Sequence, residues 1–286
     1  MAKLSSRRFT HSKVEDAASI LFLSVMGFFM AIPMIYTVCS AFKPMDELFL
    51  FPPSFFVKNP TLINFKNLSV LMRESWVPFS RYVFNSVCIT LIGTAGHVIF
   101  ASLAAFRIAK YNFPGKKLLF ETVVMALMFS TAVTAIPNYL IISKIGLVDT
   151  YWAIIIPALG GSLGLFLMKQ FMEQMVPDVL IEAAHIDGAS EWCIFTRIVM
   201  PVVRPAWLTL IIFCFRDLWN ASGGNFIFTE ELKPLPYALQ SIMSGGIART
   251  GVASAVSMIM IIPPIIVFIL SQSNVIETMS TSGMKD

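Results

Sequence analysis

The sequence predicts an all-α integral membrane protein with six transmembrane helices, and three observations carry that prediction. Apolar residues make up 56% of the 286 residues and charged ones only 13%, too few charges to cover a soluble domain of this size. Runs free of charge at 17–42, 82–106 and 251–276 are each long enough to cross about 30 Å of hydrocarbon. Residues 107–117 carry Arg107, Lys110, Lys116 and Lys117 with no acid among them, the pattern of a short cytoplasmic loop.

Taken in order, residues 1–16 read as a cytoplasmic arm, with Lys3, Arg7, Arg8 and Lys13 ahead of the first span at 17–42. A cleaved signal peptide would have a shorter apolar run and a small-x-small cleavage site, so this segment reads as an uncleaved span. Residues 43–81 form a long polar loop. Pro52-Pro53, Pro60 and the aromatics Phe49, Phe51, Phe55 and Phe56 suit a segment at the membrane surface. The second span, 82–106, ends in the basic loop. The third, 122–143, contains Pro137, which frees a carbonyl and predicts a kink facing protein. The fourth, 150–168, holds Gly160 and Gly164 at the spacing that lets helices approach closely; a flexible hinge is the alternative use of these glycines. Pro205 to Phe215 is too short to span alone, and extending it to 203–222 gives a fifth span with Arg216 and Asp217 near its outer end. Turn signals follow at Gly223-Gly224, Pro234, Pro236 and Gly245-Gly246. The sixth run, 251–276, is interrupted by Pro263-Pro264, and 277–286 is a short cytoplasmic tail. Six spans return both termini to the cytoplasm, an orientation that the basic arm and the 107–117 loop support independently.

Between the fourth and fifth spans lies a polar stretch, 173–204. Pro177 stops the preceding helix, Asp178 can cap a short one, and Gly188 can turn the chain before Ser190 starts a second helix that Pro201 ends. The first helix places Val179, Ala183 and Ile186 on one face and Asp178, Glu182 and His185 on another. Two short helices with small residues at the bend make a knob that a partner can grip, with Glu182 offering a charge to pair.

Several chemistries are excluded. No G-x-x-x-x-G-K-[ST] loop occurs, since Gly115-Lys116 lacks both the preceding glycine and the following hydroxyl. No Ser/His/Asp set and no H-E-x-x-H appears, so the chain is not an enzyme by itself and needs no cofactor. Cys39, Cys88, Cys193 and Cys214 stand far apart and read as reduced, structural thiols. His11, His97 and His185 are too scattered for a metal site. A net charge of +4, concentrated beside apolar runs, makes nucleic acid an unsuitable partner.

The knob also carries a resemblance. Glu182-Ala183-Ala184, three residues, Gly188, nine residues, then Ile198 and Pro201 follow the E-A-A…G…I-x-L-P loop of permease subunits in binding-protein-dependent ABC importers, with Met200 where the family has Leu. Ser40-Ala41-Phe42-Lys43, Asn85-Ser86, Ala104-Ala105-Phe106-Arg107, Phe113-Pro114-Gly115, Trp219-Asn220 and the Gly283-x-Lys285 near the C-terminus resemble the carbohydrate branch, maltose-type permeases of the bacterial plasma membrane. The resemblance implies that Glu182, Ala183, Ala184, Asp187, Gly188, Ile198 and Pro201 form a coupling helix seated on a separate ABC ATPase dimer. It also implies a second, homologous permease, an extracytoplasmic solute-binding protein and a sugar or oligosaccharide substrate. A secondary active transporter is the alternative; it would bring intramembrane acids, and Asp217 is the one such acid here.

The charged pair Arg216–Asp217 leaves two readings open. Both side chains can sit in interfacial water at the end of a helix. Alternatively, with Asn85, Trp219 and Asn220, they line the translocation path, where a flat ring and a bidentate amide suit a sugar.

Overall fold

The computed structural model describes residues 13–74 and 77–282. The basic arm with Lys3, Arg7 and Arg8, and the tail end with Gly283, Lys285 and Asp286, fall outside the described residues. In chain order the helices are α1 (Lys13–Phe42), α2 (Met45–Leu48), α3 (Ile63–Glu74), α4 (Phe79–Lys110), α5 (Lys116–Ala126), α6 (Thr131–Ile145) and α7 (Trp152–Leu159). They continue with α8 (Ser162–Met175), α9 (Asp178–Ile186), α10 (Glu191–Cys193), α11 (Met200–Val202), α12 (Arg204–Trp219), α13 (Leu235–Met243) and α14 (Thr250–Ser282). Among the described residues four helices or helix pairs are long and apolar enough to cross a membrane (17–42, α4, Trp152–Met175 and 250–272), and two bent pairs bring the number to six if each is one span.

The chain packs as two units: the described part of Met1–Leu68 with Ile247–Met258, and Ser69–Gly246 with the described part of Ile259–Asp286. In the first unit the loop after α1 is folded rather than extended. Lys43, 1% exposed, donates to the Ser54 carbonyl and lies over the Tyr36 ring. Glu47 accepts the backbone N–H groups of Lys58 and Asn59, and the Asn64 amide donates to the carbonyls of Ala41 (2.9 Å) and Lys43 (2.7 Å). Buried charges persist only when paired and hydrogen-bonded, and Ser40-Ala41-Phe42-Lys43 supplies part of that network.

In the second unit α4 is the axis on which α7, α8 and α12 pack. Two cores fill it. One gathers Ala105, Phe106, Met168, Met172, Ile194 and Val199 near the C-terminal end of α4, and the other gathers Ile89, Ile155, Leu218 and Ile227 toward its start. The close approach in the fourth span uses Gly161 and Gly164 rather than Gly160 and Gly164. A Cβ on Gly164 would lie 2.1 Å from His97 Nε2 and one on Gly161 2.7 Å from its Cε1, whereas Gly160 meets only a carbonyl at 3.8 Å. Gly160 and Gly161 also separate α7 from α8.

Three further expectations are corrected. The bend in the third span falls between α5 and α6, at 113°, and Pro137 lies inside α6. Ser130 has an extended backbone (ψ 151°), and the Thr134 hydroxyl reaches back to the Ser130 and Thr131 carbonyls, local bonds that compete with a continuous helix. Pro263-Pro264 does not interrupt the last helix, because α14 runs through both. Pro201 does not end the helix begun at Ser190. That segment widens into a π turn at Ile194–Val199 and continues as α11, with Pro201 inside it. Proline has no N–H to offer the Arg197 carbonyl, and a π turn before it relieves the mismatch.

Candidate functional site

The knob is α9, its turn, and the segment α10–α11. Ile181 and Ala184 bury one face of α9 in the core that Phe195, Ile194 and Val199 complete. The helix ends in a double hydrogen bond: Gly188 N–H donates to His185 O (3.0 Å) and Ala189 N–H to Ala184 O (2.9 Å). This is the Schellman arrangement, with the residue at C′ in the left-handed region, and Gly188 occupies it with φ +76°. The spacing E-A-A-x-x-x-G thus has a physical content: Ala184 must be small enough to bury and position 188 must tolerate positive φ. Ser190 then caps the next helix, its hydroxyl accepting from Cys193 N at 3.3 Å.

Asp178 is not the cap of α9 but its first residue; Pro177 holds the cap position. The Asp178 carboxylate pairs with Lys110 at 2.8 Å, and the same ammonium, 4% exposed, donates to the Val176 carbonyl. A second strut joins the other half of the knob to the same helix end. Tyr111 donates to Glu191, whose other oxygen meets His185 Nε2 at 3.1 Å across the Gly188 turn. Phe106, Tyr111, Phe195 and Trp192 form a chain of ring contacts at 5.4–5.7 Å, with Arg107 over the Tyr111 ring. Burial first and the Glu191 carboxylate second push the Tyr111 phenol up to about 12, while the Tyr111 hydroxyl holds Glu191 below the usual carboxylate range. Lys110, Tyr111 and Glu191 were not singled out as site residues from the sequence. For Lys110 and Tyr111 the sequence signal is the basic 107–117 loop, read only for orientation, and Glu191 lies outside that loop.

What the knob presents outward is a mixture of apolar side chains and carboxylates. Val179 (71% exposed), Ala183 and Ile186 (87% exposed) lie on the free surface of α9, and Glu182 stands beside them with no ion pair among the described residues. Asp187 and Pro201 are exposed and Ile198 half-buried against the core.

The residues placed on the translocation path separate into two groups. Asn85 is fully buried, donating to the Glu231 (2.8 Å) and Lys233 (2.9 Å) carbonyls and accepting from Tyr151 OH (2.7 Å). Trp219 is 3% exposed, stacked on Phe215, with its indole N–H on Met260 O at 2.9 Å. These two carry packing duties and present no free face. Arg216 and Asp217 pair at 2.8 Å with side chains 61% and 64% exposed, and Asn220, also exposed, turns its amide back onto Arg216 O. Around Asn85 the loop after α12 is tied down further: Tyr82 donates to Glu230, Ser86 Oγ accepts from Leu235 N, and Asp149 accepts from Phe228 N, Thr229 N and the Thr229 hydroxyl. The Thr229 hydroxyl is the main reason the Asp149 carboxyl lies below its usual range.

The described residues form an all-α membrane protein with a folded knob at 178–202, and sequence kinship makes it a transport permease component. The chain belongs to the family of binding-protein-dependent transport system inner membrane components, whose sequence profile matches residues 97–281. It is 32% identical to protein LplC of Bacillus subtilis over 78% of this chain and 73% of that protein. To the arabinooligosaccharides transport system permease protein AraQ of the same species it is 26% identical, over 95% of this chain and 96% of the relative. Its fold matches a bacterial ABC transporter involved in import of the acidic polysaccharide alginate, with TM-score 0.76, 20% identity, and coverage of 92% of this chain and 98% of that one.

Proposed function

We propose that this chain is one of two homologous permease subunits of an ATP-driven importer of a sugar or oligosaccharide. In that reading a dimer of separate ABC ATPases grips α9, an extracytoplasmic solute-binding protein delivers the substrate, and both termini lie in the cytoplasm. The observation that carries it is the knob itself: an exposed apolar face flanked by Glu182, which has no ion pair among the described residues, braced through Lys110 and Tyr111 to the end of α4. ATP binding closes the ATPase dimer, the knob follows, and the braced end of α4 moves with it. The membrane helices then exchange between inward- and outward-facing arrangements, a bistable change driven by differential occupancy. Substrate class is supported by kinship to AraQ, which is named for arabinooligosaccharides. The exposed pair Arg216–Asp217 with Asn220 is the part of this chain proposed to face the path, with Asn85 and Trp219 holding the wall behind it.

The test is reconstitution in proteoliposomes with and without the ATPase. Uptake should require ATP and the ATPase, and Glu182→Ala should lower uptake and uptake-coupled hydrolysis while the protein still inserts. Uptake driven by an ion gradient without ATPase would reject the reading.

A further inference from the structure

Beside the brace, the start of α5, the end of α4 and the flank of α8 border an open cavity of about 760 Å³ that the transport reading does not use. Three ammonium groups line it: Lys116, Lys117 and Lys169, against a single acid, Glu121. Lys169 forms the floor, ion-paired to Glu173 at 2.7 Å and lying 4.1 Å from the Phe120 ring centroid, which itself stacks on Phe166. The other two lysines are poorly matched inside the protein. Lys116 Nζ reaches only Asn112 Oδ1, at 3.5 Å, and Lys117, 91% exposed, is 3.9 Å from Glu121, distances and exposure at which a pair contributes little. The rim is apolar. Leu118 lines it and is exposed next to the lysines, Phe113 and Phe120 line it half-buried, and Leu119, the next residue of α5, is exposed outside it.

We infer that this cavity binds the phosphate of an anionic phospholipid headgroup, with the acyl chains leaving along the Leu118–Leu119 surface. The inference rests on the cytoplasmic placement of the 107–117 loop proposed above. At that depth the cavity faces the leaflet surface, where basic pockets between membrane helices take anionic headgroups. One exposed and one half-buried ammonium group, Lys117 and Lys116, over a cation–aromatic floor supply charge for a phosphate, and the exposed leucines supply what a soluble phosphate would not need. The apolar rim favours a lipid over a free anion.

The experiment uses the full chain purified with its partner subunits, titrated in mixed micelles with phosphatidylglycerol, with phosphatidylcholine or with inorganic phosphate. Binding is read by native mass spectrometry and by the rise in melting temperature. Phosphatidylglycerol affinity should fall about 30-fold in Lys116→Gln/Lys117→Gln, roughly a factor of five for each lysine lost near a membrane surface. Lys144→Gln, far along the chain from the cavity, should bind as wild type. Should the double variant be poorly produced, Lys117→Glu alters only a solvent-exposed side chain and should show the same loss. Equal affinity in wild type and variants overturns the site, as does equal protection by phosphatidylcholine. Inorganic phosphate protecting as well as the lipid would identify a free anion instead, and protection of a Lys117→Cys thiol by the ATPase alone would identify a protein contact; either result overturns the lipid assignment. ATP-dependent uptake measured in parallel separates the two proposals: uptake without ATPase rejects the importer, whereas lost lipid retention with intact coupling leaves it standing.

Discussion

Gly188 offers a test in which backbone conformation and steric bulk make opposite predictions. The sequence alone suggests that a side chain at this tight bend would be excluded by crowding. The structure places nothing within 4 Å of a Cβ built there, so crowding within the chain is not the constraint. The constraint is φ +76°, which costs an L-residue roughly 1–2 kcal/mol, about a 5- to 30-fold loss in population of the turn. Gly188→Ala should therefore reduce substrate-stimulated ATP hydrolysis several-fold in the assembled transporter. Gly188→Val should reach or exceed the upper end of that range, because a β-branched residue is a genuine outlier at positive φ. Gly188→Asn, though larger than alanine, should be the mildest of the three, since Asn visits this region routinely. The assay is sugar- and binding-protein-stimulated hydrolysis and uptake in proteoliposomes, normalised to assembled complex. Wild-type coupling in Gly188→Val would refute the argument. Equal damage from Asn and Val would also refute it, and would move the cause to bulk against the ATPase.

Other outcomes follow from the same geometry. Lys110→Met should uncouple transport more than Asp178→Asn, because it strips the Val176 carbonyl of its donor, whereas the pair itself has an exposed partner worth under about 1 kcal/mol; equal effects in coupled hydrolysis would deny the brace. Asn85→Ala should lower the melting temperature, leaving buried groups unsatisfied at about 1–3 kcal/mol each, and should speed proteolysis of the 223–235 loop. Asp149 is held below its ordinary carboxylate value in the folded protein, so its contribution is complete above that ordinary range and is lost as pH falls through the lowered value; protease resistance at 226–229 should differ between wild type and Asp149→Asn at neutral pH and converge in acid. Trp219→Ala should act through stability, at about 3–5 kcal/mol for an emptied aromatic site, whereas Asp217→Asn should change uptake with assembly intact; the reverse pattern would exchange their roles.

Much of the chain was legible because membrane spans announce themselves by composition. The runs at 17–42, 82–106 and 251–276 needed only charge-free length, and Gly188 only a helix of the right period ending in glycine. What stayed hidden depends on groups far apart in sequence or on register. Asn85 bonds to Glu231 and Lys233, 146 and 148 residues away, and no local pattern in Asn85-Ser86 says whether that amide faces a path or a loop. Tyr111 and Glu191 meet across 80 residues. The fourth-span contact is displaced by one residue from the obvious spacing because His97 fills the space above Gly161 and Gly164. The third span bends at Ser130, just before Thr134 donates its hydroxyl to the Ser130 and Thr131 carbonyls, a preference that Pro137 overshadowed in the sequence.

These features converge on α4. Its 32 residues extend about 48 Å, enough to cross the bilayer with a turn to spare at each end. At the C-terminal end Lys110 and Tyr111, the residue that caps the helix, hold the knob; at the N-terminal end Arg81, Tyr82, Asn85 and Ser86 hold the loop at 230–235. Both sets of bonds are side-chain attachments to one continuous helix, so a displacement of the knob has a rigid element to act on rather than a chain of flexible links. Coupling through such an element requires that both attachments bias the same two-state motion. Weakening either should then reduce coupled hydrolysis, and weakening both should cost little more than weakening one, because a lever detached at one end transmits nothing. Lys110→Met combined with Asn85→Ala is therefore less than additive on coupling if α4 is the transmitting element, and additive if the two ends act on separate steps.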